Sequence, residues 1–377
     1  MKIIIVGAGT VGASLVEHFS GQNHHIEVIE RDEELCEEIK KRFDVFVVHG
    51  RGCSPEALTK AGFVKADMVI AVTPSDETNL LVCHFAMQQG VKKRIARVKS
   101  DMYTNTASVD LKKLGVTSVI EPEREVVARM LQYIELPGVH ETINFHGDTI
   151  YLRGYTITED MPIAGKTLSE INNMAKGVPM LVVMINRSGK SIAPTGAQAL
   201  LPGDTIVVIM PHESFKTFRT LINRKPVKLK KVVISGDSLT AIRLAEELKP
   251  RCDRVLLVDP DREHAYYVST LLNKVEVLHG DCTDSDMLQE LNVGSADCFI
   301  AAGKDEEDNI MSCLLAKTGG ASMVMAVRND ARYSTLFHSL GIDHVIIPNE
   351  ITLNMIVEKI QMVPIGTYLK LKTADSE

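Results

Sequence analysis

The sequence lacks tryptophan, and aromatic residues make up only 5% of its 377 residues. A chain so poor in aromatic rings is a weak candidate for a receptor that stacks a sugar or a quaternary amine. It also contains no run of about 18 uninterrupted apolar residues, so we do not expect it to cross a membrane itself. Its seven cysteines are odd in number and form no C-x-x-C pair, which is typical of a protein from a reduced cytoplasm.

Basic residues are not in excess, since the net charge is −7 and the pI is near 6.0, and they form no extended basic stripe. Binding to nucleic-acid backbones needs a positive face, so we do not expect a nucleic-acid partner. The sequence has no H-E-x-x-H, no G-x-S-x-G and no recognisable acid/base arrangement for hydride transfer. His24 and His25 are typical of a surface loop rather than of a metal site. We therefore predict neither an enzyme nor a metal centre.

The chain begins with a nucleotide-binding fingerprint. Ile3 to Val6 predict a strand that runs into three glycines, Gly7, Gly9 and Gly12, and a helix is predicted to follow. The first glycine permits a tight turn, the second lets backbone N–H groups approach a diphosphate, and the third lets helix and strand pack closely. The helix N-terminus adds positive partial charge. The predicted diphosphate loop is Gly7, Ala8, Gly9, Thr10, Val11 and Gly12.

A carboxylate follows at the interval that a ribose contact requires. The second predicted strand, His25 to Ile29, ends in Glu30, which can accept hydrogen bonds from ribose hydroxyls. The same carboxylate would repel a 2′-phosphate, although Arg31 beside it weakens that exclusion. The ligand is therefore predicted to be NAD(H) or an adenine nucleotide such as ATP or ADP, rather than NADP.

The alternation of strands and helices up to about residue 135 predicts an α/β fold with a doubly wound parallel sheet. The same pattern recurs downstream. Residues 66–71 (ADMVIA) match residues 296–301 (ADCFIA), Asn79 matches Asn309, and Arg97 corresponds to Arg328. Several matches in one order indicate an internal duplication. We predict two Rossmann-like units, residues 1–135 and 232–364.

Between the copies the pattern changes. Short strand-like runs separated by Gly/Pro turns predict a small β-rich α+β domain over residues 140–222. Residues 223–231 contain five basic side chains and are typical of a solvated linker. The two predicted Rossmann-like units therefore flank a small α+β domain.

The second unit differs from the first at its glycine motif. We expect Ser235, Asp237 and Thr240 at the positions of the three glycines, which would obstruct close approach of a diphosphate. Asp259 still occupies the ribose position, and Asp281 follows the next strand. Ordinary dinucleotide binding is not expected there, while adenosine alone, or a cation near these carboxylates, stays open.

Taken together, the motifs resemble the TrkA family of potassium-uptake regulators, whose members contain tandem RCK domains. The resemblance covers essentially the whole chain, and its motifs are Val6 to Gly12, Glu30, Gly50-Arg51-Gly52, Ala71 to Asn79, Arg94 to Arg97 and Ile192 to Gly196. Family members usually alternate Rossmann and small units twice. The resemblance thus implies that residues 365–377 are a linker or the start of a missing second small unit. Whether the chain is truncated at Glu377 stays open.

The resemblance implies nucleotide contacts beyond the glycine loop and Glu30. Thr73 and Pro74, after the fourth predicted strand, would contact the second half of the nucleotide. Asp76 and Asn79 begin the next helix and would either contact the nucleotide or cap that helix.

Two arginines complete the expected site. Arg97 ends the fifth predicted strand, and Arg51 lies in a glycine-flanked loop. Each would either pair with a phosphate or form a surface ion pair.

The resulting hypothesis is a cytoplasmic regulatory subunit, peripheral on the inner face of the membrane. Its partner would be an integral membrane potassium-translocating subunit of the Trk type, and nucleotide binding would set its shape. The resemblance also implies self-association into a ring, with a tetramer as the expected form. Two alternatives stay open: an NAD-dependent oxidoreductase, and a regulator of another potassium or cation transport system.

Overall fold

The computed structural model describes residues 1–22, 24–105, 109–136, 138–145, 149–223, 228–328, 337 and 339–361. Within these ranges the chain divides into two compact units. The first runs from Met1 to Val126 and includes a later segment that starts at Ile347. The second contains residues Val127–Val327 and Tyr333–Ile346.

The first unit contains a six-stranded parallel sheet with the order β3-β2-β1-β4-β5-β6. Its strands are β1 Lys2–Val6, β2 His25–Glu30, β3 Phe46–His49, β4 Met68–Ala71, β5 Lys93–Arg97 and β6 Ser118–Ile120. Its helices before Val126 are α1 Thr10–Ser20, α2 Glu33–Arg42, α3 Pro55–Lys60, α4 Asp76–Gln88 and α5 Asp101–Thr104, and α6 Pro122–Glu135 begins there.

The central strands are apolar on both faces because helices cover both faces of the sheet. Residues 3–6 of β1 and 68–71 of β4 are buried completely, at 0% exposure. Strand order reverses between β1 and β4, whose last residues, Val6 and Ala71, are paired. Ligands of doubly wound sheets bind at such a reversal, beyond the carboxyl ends of the strands. The loops after these two strands therefore border one crevice.

The second unit begins with a small α+β domain, as the sequence predicts. Its antiparallel sheet has the order β10-β9-β11-β8-β7. The elements are β7 Val139–Phe145, β8 Ile150–Thr156, α7 Leu168–Met174, β9 Leu181–Arg187, β10 Lys190–Ile192, β11 Thr205–Pro211 and α8 Phe215–Leu221. The buried carboxylate of Asp204 accepts two hydrogen bonds of 2.7 Å from the Arg187 guanidinium. This bidentate pair ties the loop before β11 to the end of β9.

A second parallel sheet follows, with the order β14-β13-β12-β15-β16-β17, and confirms the duplicated architecture. Its strands are β12 Leu229–Ser235, β13 Cys252–Asp259, β14 Glu276–His279, β15 Cys298–Ala301, β16 Val324–Val327 and β17 His344–Ile346. Its helices are α9 Leu239–Leu248, α10 Arg262–Leu271, α11 Ser285–Glu290 and α12 Glu306–Thr318.

The predicted linker is shorter than expected. Leu229 and Lys231 already pair with β13, so the last three residues of the predicted segment 223–231 belong to β12. The apolar Leu229 is 5% exposed, which explains why the strand starts before the run of valines. Residues 224–227 and 365–377 lie outside the described residues.

The two compact units differ from the predicted domains in two respects. The small α+β domain and the second parallel sheet belong to one unit, and the helix after the last strand of each sheet belongs wholly or mostly to the other unit. Most of α6 belongs to the second unit, where Tyr133 stacks on His344 at 4.1 Å between ring centroids. The final helix, α13 Pro348–Gln361, belongs to the first unit and packs against α1. Ile356 of α13 is fully buried. None of the helices in the described ranges has both the length and the apolar character needed to span a bilayer.

Candidate nucleotide site

The glycine loop after β1 is held by tight backbone contacts. Gly7 has φ +102°, a conformation that side chains disfavour, and a Cβ there would lie 3.1 Å from the nitrogen of Thr73. A Cβ on Gly12 would lie only 1.9 Å from the Gly7 carbonyl oxygen. Gly9 is different, since a Cβ there would meet nothing within 4 Å. Packing therefore explains Gly7 and Gly12, whereas Gly9 borders open space.

The N-terminus of α1 faces that open space. The helix begins at Thr10, Gly9 is its N-cap, and no side chain caps it or places an acidic group in its first turn. The first amide groups of a helix have no carbonyl partner within it and form a centre of positive partial charge. Gly9 and Thr10 are exposed, whereas Ala8 and Val11 are buried. An anion can therefore approach through the exposed backbone of this loop.

Glu30 joins the glycine loop to the end of β2. Its carboxylate is 9% exposed. Oε2 accepts a hydrogen bond of 2.6 Å from the N–H of Ala8, and Oε1 accepts bonds from the N–H groups of Arg31 and Asp32 at 2.7 and 3.0 Å. Hydrogen bonds to a charged carboxylate are the stronger kind. Glu30 thus fixes the loop and still has lone pairs for a ribose hydroxyl.

Asn79 holds the loop that follows β4. It is 0% exposed, and its side chain uses all four of its hydrogen-bonding positions within the protein. Oδ1 accepts bonds from the N–H and hydroxyl of Thr73 at 2.9 and 2.7 Å. Nδ2 donates to the carbonyl groups of Thr73 and Arg97 at 3.0 and 2.9 Å. Asn79 therefore fixes the backbone of Thr73 in the crevice and joins it to the end of β5.

We expect Asn79→Ala to destabilise the first unit by about 2–3 kcal/mol, because it leaves buried backbone groups without partners. Hydrogen exchange of the β4 and β5 amides would measure the loss. Asn173→Ala, a change at an α7 position with an exposed side chain, is the matched control and should leave the exchange of these amides unchanged. Equal protection in the Asn79 variant and the native chain would contradict this role.

Asp76 has a comparable anchoring role. Its side chain is 8% exposed and accepts hydrogen bonds of 2.8–3.0 Å from the N–H groups of Lys99 and Ser100. The alternative that Asp76 or Asn79 caps α4 is wrong, because Ser75 is the N-cap and accepts a bond from the N–H of Thr78. Both polar residues hold loops at the carboxyl edge of the sheet.

Arg97 forms the centre of a partly buried charged cluster at this edge. Burial lowers its pKa, and the carboxylates of Glu123 and Asp76 oppose that shift. Burial and the neighbouring Arg97 also lower the pKa of Lys99. Among the described residues, Nε of Arg97 and Oε2 of Glu123 are buried without a hydrogen-bond partner. The cluster therefore has unused hydrogen-bonding capacity beside the crevice.

Arg51 is exposed on the loop that follows β3. The next residue, Gly52, lies against the crevice, since a Cβ there would be 2.4 Å from Cγ1 of Val6 and 3.8 Å from Cγ2 of Thr73. Neither Arg51 nor Arg97 forms an ion pair within the described part of the chain, so the surface-pair alternative is not observed. Pro74 is exposed beside Thr73.

The structure thus brings the predicted residues to one edge of the first sheet. Sequence reasoning missed Lys99 and Glu123, although the alternation of Arg97 and Lys99 at the end of β5 was a usable signal. Within the described ranges, no group of three or more His, Cys, Asp or Glu side chains is placed to hold a metal ion.

Strand register corrects the comparison of the two glycine motifs. Val6 and Ser235 are equivalent, because each ends its strand and pairs with equivalent neighbours on both sides. Gly236, with φ +138°, is therefore the counterpart of Gly7. The expectation that all three glycines are replaced is wrong: it set Ser235, Asp237 and Thr240 opposite the glycines, whereas the counterparts are Gly236, Ser238 and Ala241.

The error has a simple cause. The sequence comparison set the second motif one residue too early, since it placed Ser235 rather than Gly236 opposite Gly7. Arg328 was set opposite Arg97 by a comparable error of one residue, in the opposite direction. Asn309 donates to the carbonyl of Val327 as Asn79 donates to that of Arg97, which makes Val327 the counterpart of Arg97.

Comparison with known proteins agrees with this architecture. Residues 3–122 and 232–348 match the TrkA-N domain, and residues 152–223 match the TrkA-C domain. The chain is 31% identical to the Trk system potassium uptake protein TrkA of Halomonas elongata over 379 residues, covering 100% of this chain and 83% of that protein.

Two solved structures share the fold. The GsuK channel bound to NAD superposes with a TM-score of 0.70 and 18% identity, covering 94% of this chain and 63% of that chain. GsuK bound to ADP gives a TM-score of 0.59 and 14% identity, covering 96% of this chain and 69% of that chain. At these identities the similarity concerns the fold alone.

Proposed function

Because the chain belongs to the TrkA family of potassium uptake proteins, we propose that it is the nucleotide-binding regulatory subunit of a Trk-type potassium uptake system. Its partner is an integral membrane subunit that translocates potassium. The chain acts on that subunit from the cytoplasmic face, as a peripheral protein. Self-association into a ring, with four chains as the expected number, would present several nucleotide sites to one channel or transporter.

One observation carries the nucleotide assignment: the uncapped N-terminus of α1 lies beside a carboxylate that holds the glycine loop. The backbone of residues 7–12 would hold the diphosphate, and Glu30 would accept hydrogen bonds from the adenosine ribose. The loop is already fixed by Glu30, so little ordering is needed when the ligand binds. NAD(H) and ATP or ADP both fit these contacts, and the GsuK structures bind NAD and ADP in the same fold.

The second half of the ligand would lie between Thr73 and the end of β5. There Arg97 offers a guanidinium with an unused buried N–H, which suits a phosphate oxygen. Arg51 supplies a second cation from the loop after β3. Asp76 and Asn79 act by positioning, since their polar atoms already hold the loops that contain Lys99 and Thr73.

Regulation requires that the ligand bind two conformations unequally, because its differential affinity is the most free energy it can contribute to the switch. The loops around the crevice are tied to one another through Glu30, Asn79 and Asp76. A ligand that displaces one of these loops would therefore also displace the loops bonded to it at the ends of several strands of the first sheet. Nicotinamide redox state or the number of phosphates would decide which conformation is favoured.

The proposal predicts saturable binding without turnover. Calorimetry on the full chain with NADH, NAD, ATP and ADP should identify at least one ligand, and NADH absorbance should stay constant. Arg97→Gln should weaken binding of the phosphate-bearing ligand by about tenfold, the effect of one charged hydrogen bond. Arg124→Gln, which removes an exposed guanidinium paired with Asp101 and Glu121, is the matched control and should bind normally.

The outcomes separate the candidate functions. Binding that also changes potassium flux through the reconstituted membrane subunit would support the regulatory role. Steady consumption of NADH would instead favour an oxidoreductase. Absence of binding to all four nucleotides would overturn the proposal and leave a role in assembly.

A further inference from the structure

The second unit keeps a counterpart of the ribose carboxylate, but that group is already occupied. Asp259 is 0% exposed. Its Oδ1 accepts the N–H of Asp261 at 2.9 Å, and its Oδ2 lies 2.5 Å from Nδ1 of His264. In this pair the imidazole N–H donates to the carboxylate. A ribose hydroxyl would have to displace the imidazole before it could reach Asp259.

The first unit has no such group at the equivalent position. Asp32 and Asp261 are both N-caps, and each accepts hydrogen bonds from the N–H groups two and three residues further on. Leu35 is therefore the counterpart of His264, and it leaves the carboxylate of Glu30 to the glycine loop. The two units use the same carboxylate position for different partners.

The diphosphate position of the second unit is also satisfied from within the chain. Ser238 stands where Gly9 stands in the first unit, and its Oγ caps α9 by accepting the N–H of Ala241 at 3.2 Å. Asp237 stands where Ala8 stands and accepts a hydrogen bond of 2.6 Å from the Lys304 ammonium. Burial opposes ionisation of Asp237, but Lys304 outweighs it and lowers the pKa of the carboxyl group. The loop thus carries a carboxylate, which repels a phosphate, where the first unit has the uncharged Ala8.

The two cations of the first site are missing from the second. Asp281 follows the glycine that corresponds to Gly50, and so replaces Arg51. Val327 replaces Arg97. A phosphate would therefore meet carboxylates without the guanidinium groups that favour it in the first unit.

We propose that His264, Ser238 and Asp237 are built-in substitutes for a nucleotide, so that the chain binds one nucleotide, in the first unit only. The second unit then keeps its folded site without a ligand and does not respond to nucleotide concentration. This inference rests on the proposed function of the first unit. Of the two duplicated units, the first would then respond to nucleotide and the second would keep one conformation whether or not nucleotide is present.

Calorimetry and hydrogen exchange on the full chain test this division with ADP and NADH as probes. We expect one bound nucleotide per chain, with increased protection of residues 7–20 and none of residues 236–248. Two nucleotides per chain, or protection of the second loop, would overturn this inference while leaving the proposed function intact. Absence of binding at both loops would overturn the proposed function and this inference together.

A triple variant tests the three named residues directly. Asp237→Ala, Ser238→Gly and His264→Leu install the residues found at the equivalent positions of the first unit. They should raise binding from one to two nucleotides per chain, the second with lower affinity because Asp281 and Val327 still replace the two arginines. Adding Glu30→Ala should return the number to one, now at residues 236–248. A triple variant that is folded by circular dichroism but still binds one nucleotide would show that these residues do not close the site. If the triple variant fails to fold, the native stoichiometry and exchange pattern decide.

Discussion

Glu30→Ala is expected to weaken binding of NADH or ADP by at least about 100-fold. Two hydrogen bonds from ribose hydroxyls to a carboxylate are worth about 3 kcal/mol together, which corresponds to about two powers of ten in affinity. The variant also removes the acceptor that holds the N–H of Ala8 at 2.6 Å. The glycine loop would then have to be ordered by the ligand itself. Calorimetry with each nucleotide measures the loss.

Two further variants keep this test independent of folding. Glu34→Ala removes a carboxylate from the exposed first turn of α2 and should bind as the native chain does. Glu30→Gln keeps the size of the side chain but loses the charge and one acceptor oxygen. Its affinity for the nucleotide should therefore lie between those of Glu34→Ala and Glu30→Ala. Native affinity for the nucleotide in both Glu30→Gln and Glu30→Ala would show that Glu30 does not bind the ligand.

The arrangement of the glycine loop and Glu30 in the candidate site could be predicted from sequence because it depends on local features of the chain. Three glycines after an apolar strand predict a tight turn, a close approach of the backbone to a diphosphate and a close contact between helix and strand, and all three lie within six residues. Glu30 ends the neighbouring strand at an interval that the βαβ unit fixes. The parallel sheet then brings both to one edge. The predicted fold follows from the same alternation of strands and helices.

What the sequence could not show depends on contacts between distant loops. Asn79 was expected to cap a helix or touch the ligand, but it bonds Thr73 and the carbonyl of Arg97, which only the folded sheet brings within reach. The misaligned second motif had a similar origin. An alignment error of one residue is not visible in the sequence alone, whereas the pairing of Ser235 with both neighbouring strands reveals it.

Gly12→Ala is expected to destabilise the first unit by about 3–5 kcal/mol and to abolish nucleotide binding. The added Cβ would lie 1.9 Å from the Gly7 carbonyl oxygen, so α1 would have to move away from the loop. Overpacking of this kind exceeds the gain of up to about 1 kcal/mol that alanine brings to a helix. Hydrogen exchange of the β1 amides would report the stability, and calorimetry the binding.

Two other glycines serve as matched controls. Gly9→Ala adds a Cβ with nothing within 4 Å at φ −60°, so it should leave stability unchanged and weaken binding alone. Gly21→Ala, at the C-terminus of α1, also meets nothing within 4 Å and should change neither quantity. Native stability in Gly12→Ala would contradict the contact that we assign to it.

The second unit has an alanine at the position of Gly12, and its structure predicts a second change that should partly restore the stability lost in Gly12→Ala. Ala241 occupies the position of Gly12. A Cβ on Gly236 would lie 2.3 Å from the nitrogen of Gly303, whereas a Cβ on Gly7 would lie 3.1 Å from the nitrogen of Thr73. The turn therefore lies closer to the loop after β15 and leaves more room for α9. Gly303 permits this because it lacks the side chain of Thr73. Thr73→Gly should accordingly recover part of the stability lost in Gly12→Ala, and a strictly additive effect of the two changes would show that the turn does not move.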